Sequence, residues 1–367
     1  MKQFPTIGIL GGGQLAQMLA LDGYPLGFRF VFFDPNADAC AGLVGELMVA
    51  DYDNEIALDE FAKKCDYVTY DFENVPVAAA LFVAKRTNIF PKPEVLELAQ
   101  DRLTEKNLFK SLALPVADFY AVDSYSELIF AAKSCHNNGF LKTRRLGYDG
   151  KGQYRIRSKT DLKELWTELD GNSYLFEQAI EFEREISVIC ARKKNGDIKF
   201  YPLCENKHKQ GILTTTLVPA KVSEHSDKAV EYAEKIAQAL DYVGILTVEM
   251  FETSEGLLIN EIAPRVHNSG HWTIEGADTS QFENHLRAGL DLTLGSTEMS
   301  KGFAAMINWI SEIPKIALNS PEKDLHWHIY GKQERKGRKV GHSTIIAQDA
   351  QTLHNRVVNL LGLLQKK

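Results

Sequence analysis

The sequence predicts an α/β protein of more than one domain, opening on a parallel sheet and turning strand-rich further on. Three observations carry that prediction. Short apolar runs alternate with helically spaced segments over the first ~100 residues. From about Glu185 onward strand signals dominate. The chain has 367 residues, enough for two or three domains of roughly 150 residues each.

The elements follow in order. Thr6 to Leu10 is an apolar strand ending in Gly11-Gly12-Gly13. Gln14 to Leu21 then sets Leu15, Met18 and Leu19 on one helical face. Phe28 to Phe33 is the next strand and closes on Asp34. Leu47 to Ala50 and Tyr67 to Tyr70 flank an amphipathic stretch, Ile56 to Lys63. Pro91 and Pro93 punctuate this unit, and a mostly helical connection, Glu94 to Leu112, leads out of it. Ser124 is placed to cap a helix ending near Cys135. A strand (Gly139 to Thr143), a glycine-rich loop (Arg144 to Gln153), a helix (Asp161 to Leu169) and a strand (Tyr174 to Glu177) come next. One long helix, Asp227 to Leu240, interrupts the strand-rich part. Ile245 to Phe251 and Leu257 to Ile262 flank Thr253-Ser254-Glu255-Gly256, a hairpin turn.

Composition narrows the function classes. The 44% hydrophobic content supports a packed core. A net charge of −7 argues against a surface given over to nucleic acid or anionic lipid. The five cysteines contain no C-x-x-C pair, so the expectation is a reducing compartment, the cytoplasm, without a disulfide scaffold or structural zinc. No apolar run reaches the ~18 residues a membrane span needs. The N-terminal stretch reads as strand and turn rather than signal peptide.

Three stretches carry chemistry. Gly11, Gly13 and Ala16 fit G-x-G-x-x-A between a strand and a helix, with Asp34 ending the second strand. That suits a nicotinamide dinucleotide, a plain tight turn, or another phosphorylated ligand at a helix N-terminus. Lys142 to Gln153 packs three glycines and four basic residues between strands without the G-K-[ST] of a Walker loop. It suits a hairpin that covers polyphosphate, or else a solvated surface turn. Glu249 and Glu261 each stand inside an apolar strand. A hairpin centred on Glu255 sets them opposite each other, with Cβ atoms ~5 Å apart. Two such acids need either Arg or Lys partners or a divalent cation such as Mg²⁺ shared with substrate phosphates. Asn260 through His271 follows at once, with Arg265, His267, Asn268, Ser269 and His271 suggesting an anion-recognition surface.

These strings, in this order, resemble the ATP-grasp superfamily and, within it, the N5-carboxyaminoimidazole ribonucleotide synthetase family. The segments that carry the likeness are Gly11 to Leu15, Thr69 to Val75, Gln100-Asp101-Arg102, Leu141 to Gln153 and Glu177 to Ile180. Tyr201 to His208, Asn260 to His271, Gln281 to Arg287 and Gly331 to His342 continue it, so it covers nearly the whole chain. Asp71 stands where the family pattern leads one to expect Glu, and Val266 where it leads one to expect Pro.

The resemblance implies an N-terminal Rossmann-like (pre-ATP-grasp) domain over 1–98 and a two-part α+β ATP-grasp domain over 99–300, with a lid at about 122–180. A small C-terminal β-rich domain would fill 301–367. It implies a homodimeric ligase of purine biosynthesis. Such an enzyme converts ATP, bicarbonate and 5-aminoimidazole ribonucleotide to the N5-carboxy product through carboxyphosphate. Arg102, Lys142 and the loop Gly147, Tyr148, Asp149, Gly150, Lys151, Gly152 and Gln153 would hold the ATP phosphates. Glu177, Gln178, Ala179 and Ile180 would read adenine through the backbone, Glu185 the ribose, and His208 would lie near the nucleotide. Glu249 and Glu261 would hold Mg²⁺ beside Asn260. The ribonucleotide would meet Gln14, Leu15, Glu73, Asn74, Val75, Tyr148, Lys151, Arg265 and His267, with Lys332 and Arg338 on its phosphate. Tyr148, Asp149, Lys151, Arg265 and His267 would be the catalytic group.

Rival readings remain at this point. One is another ATP-grasp enzyme, such as a formate-dependent glycinamide ribonucleotide transformylase or biotin carboxylase. A second is a nicotinamide-dependent dehydrogenase, and a third is a nucleic-acid binder using Lys332 to Lys339. Charge placement speaks against the last. Residues 142–155 and 332–339 each hold five basic groups and one acid, leaving −15 on the rest.

Overall fold

The computed structural model describes residues 4–147, 152–169, 173–315 and 322–365. Its first unit runs β1 (Thr6–Leu10), α1 (Gln14–Gly23), β2 (Arg29–Asp34), β3 (Glu46–Val49), α2 (Glu55–Lys64), β4 (Tyr67–Tyr70), α3 (Val77–Ala84) and β5 (Asn88–Ile89). The strands form a parallel sheet in the order β3-β2-β1-β4-β5. Helices cover both faces, so β1, β2 and β4 are apolar almost throughout. The order reverses direction at β1, and the crevice beyond the strand ends there is where such sheets take ligands.

Two helices lead out, α4 (Pro93–Ala99) and α5 (Arg102–Ser111), where the sequence suggests one connection. The break falls at Gln100-Asp101. Asp101 caps α5 by accepting from the Leu103 and Thr104 N–H groups, while Gln100 Nε2 donates to the carbonyls of Glu73 and Val75. The helix α3 lacks a polar face and so shows no amphipathic period in the sequence.

A small antiparallel sheet follows: β6 (Phe119–Val122), α6 (Tyr125–Ser134), β7 (Gly139–Thr143), β8 (Gln153–Ile156), α7 (Leu162–Glu168) and β9 (Tyr174–Gln178), in the order β6-β9-β7-β8. Ser124 and Asp161 cap α6 and α7 as their side chains suggest.

The remainder builds one large sheet from β10 (Arg184–Arg192), β11 (Ile198–Phe200), β12 (Cys204–Lys209), β13 (Ile212–Val218), β14 (Gly244–Thr253), β15 (Gly256–Ala263), β16 (Phe303–Ile310), β17 (Leu325–Ile329) and β18 (Lys339–Ala347). Its order is β15-β14-β10-β12-β13-β16-β18-β17, with β11 beside β10. The helices of this stretch are α8 (Ser226–Ala239), α9 (Thr273–Gly276), α10 (Gln281–Gly289) and α11 (Ala350–Gln365). Phe109 of α5 and Ala229, Ala233 and Ile236 of α8 pack on one face with Val188 and Val248. Leu15 and Leu19 of α1 join Phe282 and Leu286 of α10 against Ile189 and Ile245 on the other, docking the N-terminal unit. After residue 300, β16 is hydrogen-bonded to β13, β18 to β16 and β17 to β18, so these strands extend this sheet rather than starting another.

The hairpin β14–β15 pairs Thr253 with Gly256, a two-residue turn centred between Ser254 and Glu255. A β-bulge then inserts Asn260 between Ile259, opposite Met250, and Glu261, opposite Glu249. The expected Glu249–Glu261 pairing is present, reached by turn plus bulge rather than by turn alone.

Candidate active site

A cleft of about 1120 Å³ opens between the N-terminal unit, the small sheet and the large sheet. The nominated residues that the structure describes line it, except Val75, Ala179 and Gly152. Tyr148, Asp149, Gly150 and Lys151 lie outside the described residues. Val75 is fully buried in the core beside Leu58 and Val83, so its side chain cannot meet a ligand. Its neighbours Glu73 and Asn74 do face the cleft.

On the N-terminal side, the chain leaves β1 at Gly11, whose φ of +104° and 2.7 Å approach to Asp71 Cβ admit only glycine. The next two amides are already engaged. Gly12 N–H donates to Asp34 at 2.7 Å and Gly13 N–H donates to Asp71. Burial pushes the Asp71 carboxyl up to about 6, against the pull of Lys332 and the Gly13 N–H. Two carboxylates thus stand where a dinucleotide would need its pyrophosphate, and Asp34 is not free for a ribose. The dehydrogenase reading fails on this geometry. Lys332 donates to Gln14, and burial lowers its pKa. Arg265 donates to Glu73; burial alone would raise that carboxyl, but Arg265 outweighs it and holds it down to about 2.

On the opposite wall, Asp101 gathers the stem of the glycine-rich loop. Arg144 reaches it at 2.8 and 3.2 Å and Arg145 at 3.3 Å. Lys142 lies 2.6 Å from Glu177, and Lys106 lies 3.8 Å from it. Against burial, these two lysines hold the Glu177 carboxyl down to about 2. Glu177 therefore anchors the cationic wall. The N–H groups of Gln178 and Ala179 donate to the carbonyls of Asp118 and Asn138, so neither is free to read adenine. Gln178 and Ile180 still border the cleft. Beyond them Phe182 and Phe251 stack with ring centroids 4.7 Å apart, an apolar shelf the sequence reading missed. His208 Nδ1 lies 2.6 Å from the Glu185 carboxylate; burial would lower the His208 pKa, but Glu185 and Glu249 outweigh it and raise it.

Between the walls lie the two strand carboxylates. Glu249 meets His267 Nε2 at 3.0 Å, and His267 Nδ1 lies 2.9 Å from Ser269 Oγ. Burial would raise the Glu249 carboxyl, but His267, His208 and Lys339 hold it down to about 2. Glu261 accepts from Arg102 at 2.9 Å and keeps 41% of its side chain exposed. Glu261 therefore has the arginine partner that one of the two sequence readings asked for, whereas Glu249 is met by a histidine. Among the described residues no cluster of three His, Cys, Asp or Glu side chains stands ready to hold a metal ion. Two adjacent carboxylates with open coordination suit a cation that takes its other oxygens from phosphate and water, as Mg²⁺ does.

The chain matches the ribonucleotide synthetase preATP-grasp domain over residues 4–100 and the ATP-grasp domain over 107–282. Residues 304–356 match the phosphoribosylaminoimidazole carboxylase C-terminal domain. It is 44% identical to an N5-carboxyaminoimidazole ribonucleotide synthase of Pseudomonas aeruginosa, over 98% of this chain and 99% of that one. This chain belongs to the N5-carboxyaminoimidazole ribonucleotide synthase family. Among solved members of that family, the Thermus thermophilus synthetase superposes with a TM-score of 0.92 at 47% identity, over 98% of this chain and 99% of that one. The Aspergillus clavatus synthase superposes at 0.91 and 28% identity over the full length of both, and was solved with ADP and 5-aminoimidazole ribonucleotide. Family membership removes the transformylase, biotin carboxylase and nucleic-acid readings. No helix among the described residues is long and apolar enough to cross a membrane.

Besides Phe182 and Phe251, three residues that support this synthase site escaped sequence reasoning: Asp101, Glu105 and Lys106. All are buried, with 2–4% of their surface exposed. Only Asp101 carried a signal, as the capping acid of Gln100-Asp101-Arg102.

Proposed function

We propose that this chain uses ATP to carboxylate 5-aminoimidazole ribonucleotide with bicarbonate, giving the N5-carboxy product, ADP and phosphate. One observation carries this reading. A single cleft presents two separate cationic groups, Arg102 with Lys142 and Lys332 with Arg338, together with the Glu249–Glu261 pair. That arrangement suits two phosphorylated substrates meeting over one cation.

Arg102, Lys142 and the loop around Gly147 to Gln153 hold the ATP phosphates. The Phe182–Phe251 shelf and Ile180 take the base, and Glu185 with His208 takes the ribose side. Glu249 and Glu261 would hold Mg²⁺, which would supply charge neutralisation for the phosphates. Bicarbonate oxygen bonds to the γ-phosphorus as the bond to ADP breaks, giving carboxyphosphate. Such a step needs chiefly positioning and electrostatic stabilisation. Arg265, fixed by Glu73, and His267, fixed by Glu249 and Ser269, border the region where that anion forms. Gln14, Leu15 and Asn74 shape the ribonucleotide pocket, and Lys332 and Arg338 take its phosphate. The amine nitrogen then bonds to the carboxyl carbon, either directly or after carboxyphosphate has released carbon dioxide, and phosphate leaves with the amine's proton. We place the enzyme in the cytoplasm as a homodimer, the first on its five free, buried cysteines and the second on the family resemblance.

ATP hydrolysis by the purified chain should depend on bicarbonate and rise with added 5-aminoimidazole ribonucleotide. Hydrolysis indifferent to both would overturn the assignment. Glu261→Gln should abolish turnover with the fold intact; activity near wild type across Mg²⁺ concentrations would remove the metal role.

A further inference from the structure

Both peptide groups that flank Glu261 are gripped by consecutive side chains of α5. The Asn260 carbonyl accepts from Lys106 Nζ at 2.7 Å, and the Ile262 N–H donates to Glu105 Oε1 at 2.8 Å. One turn earlier, Arg102 holds the Glu261 carboxylate itself. The strand β15 is the edge of the large sheet, so its outward backbone groups have no strand neighbour there. Ile259 N–H finds the Pro115 carbonyl at 2.8 Å. Past that point Glu105 and Lys106 cover the edge, and each is almost wholly buried. Backbone groups in such a place must be satisfied by side chains or left orphaned.

This is also where β15 bulges. Asn260 is the extra residue, and Glu261 faces Glu249 only because the bulge restores the register. A bulge re-aims the side chains around it. A one-residue slip would turn Glu261 to the other face of the sheet.

We propose that Glu105 is a positioning residue that locks the Asn260 bulge, with Lys106 as its counterpart, and so fixes the Glu261 carboxylate opposite Glu249. The proposal rests on the reading that Glu261 helps hold the cation. Glu105 acts through a neutral property of its side chain, an acceptor oxygen at a set reach from α5. Gln offers the same acceptor, whereas Leu fills the space without one.

The test compares Glu105→Gln and Glu105→Leu in the intact enzyme by two readouts. The first is amide exchange of the 257–263 segment without metal. The second is calorimetric titration of Mn²⁺ in the presence of ADP. Loss of one buried hydrogen bond predicts that Glu105→Leu speeds exchange and weakens Mn²⁺ binding, each about tenfold. Glu105→Gln should stay within about twofold of wild type on both, and KM for the ribonucleotide should be unmoved in either variant. Wild-type exchange and Mn²⁺ affinity in Glu105→Leu would overturn the proposal. So would a Gln variant as impaired as the Leu variant, since that would make the charge the working property. If Glu105→Leu does not fold, Lys106→Met, which frees the Asn260 carbonyl, carries the exchange test with the same criterion. Glu261→Gln is the control: unchanged Mn²⁺ binding there defeats the metal reading, while the exchange arm still judges the clamp.

Discussion

Two glycine-rich turns border the same cleft, and they are built in opposite senses. At Gly11–Gly13 the helix-entry amides point at the carboxylates of Asp34 and Asp71. At the second loop the described stem carries Lys142, Arg144 and Arg145, each braced by an acid behind it. Glycine spacing reports that a backbone needs clearance. The sign of the groups facing that backbone decides what it can bind. The first turn shapes a floor whose anion affinity must come from Lys332 and Arg338 across the way. The second offers an anion its own cations.

Breaking the second loop should have the largest effect. Lys142→Met leaves the buried Glu177 with the more distant Lys106 and Arg102 as its cations among the described residues, so denaturant melts should show a loss of about 3 kcal/mol. ATP affinity should fall with it, because the same ammonium faces the nucleotide. A stable variant with wild-type ATP affinity would erase the contrast between the loops.

Arg338→Ala tests the other side. It should raise KM for the ribonucleotide by roughly ten- to a hundredfold, the worth of a charge-assisted phosphate contact, and leave KM for ATP within about twofold. Equal shifts in both would place Arg338 elsewhere.

The smallest effect concerns the carboxylate under the first turn. Asp71 titrates at about 6 in the fold against 3.8 as a free side chain. The folded protein keeps that proton where the unfolded chain has lost it, so stability falls as pH rises between those values. Asp71→Asn keeps an acceptor for the Gly13 N–H and removes the titration. Melts from pH 4 to 6 should therefore show a shallower decline than wild type, and an unchanged slope would assign it to other groups.

The sequence made β1, β4 and β7 readable to the residue, because each is a compact apolar run ended by glycine or a polar turn. It also placed Glu249 opposite Glu261, although nothing in Leu258 to Ile262 marks Asn260 as a bulge. The cationic stretches were legible because charge density survives in one dimension. Glu105 and Lys106 were not. Within α5 they read as solvated helix charges, and only the passage of β15 beside them makes them buried partners of a strand edge. Val75 misled for the converse reason: it directly follows two cleft residues, Glu73 and Asn74, yet its side chain turns inward to the core.

The pairing of β13 with β16 bears on how this protein can be cut. A chain ended after residue 300 would strip Thr215 to Val218 of their ladder partners and leave a raw, apolar margin in the middle of the large sheet. Such margins recruit strands from other chains, so the shortened protein should form aggregates rather than a smaller soluble enzyme. Among the described residues the four-stranded sheet keeps its own ladder and core and shares no strand pairing with the rest. The freedom to trade parts is therefore unequal here: the small sheet can be exchanged as a unit, taking Lys142 and Glu177 of the cleft with it, whereas the last strands are woven into the sheet that carries Glu249 and Glu261.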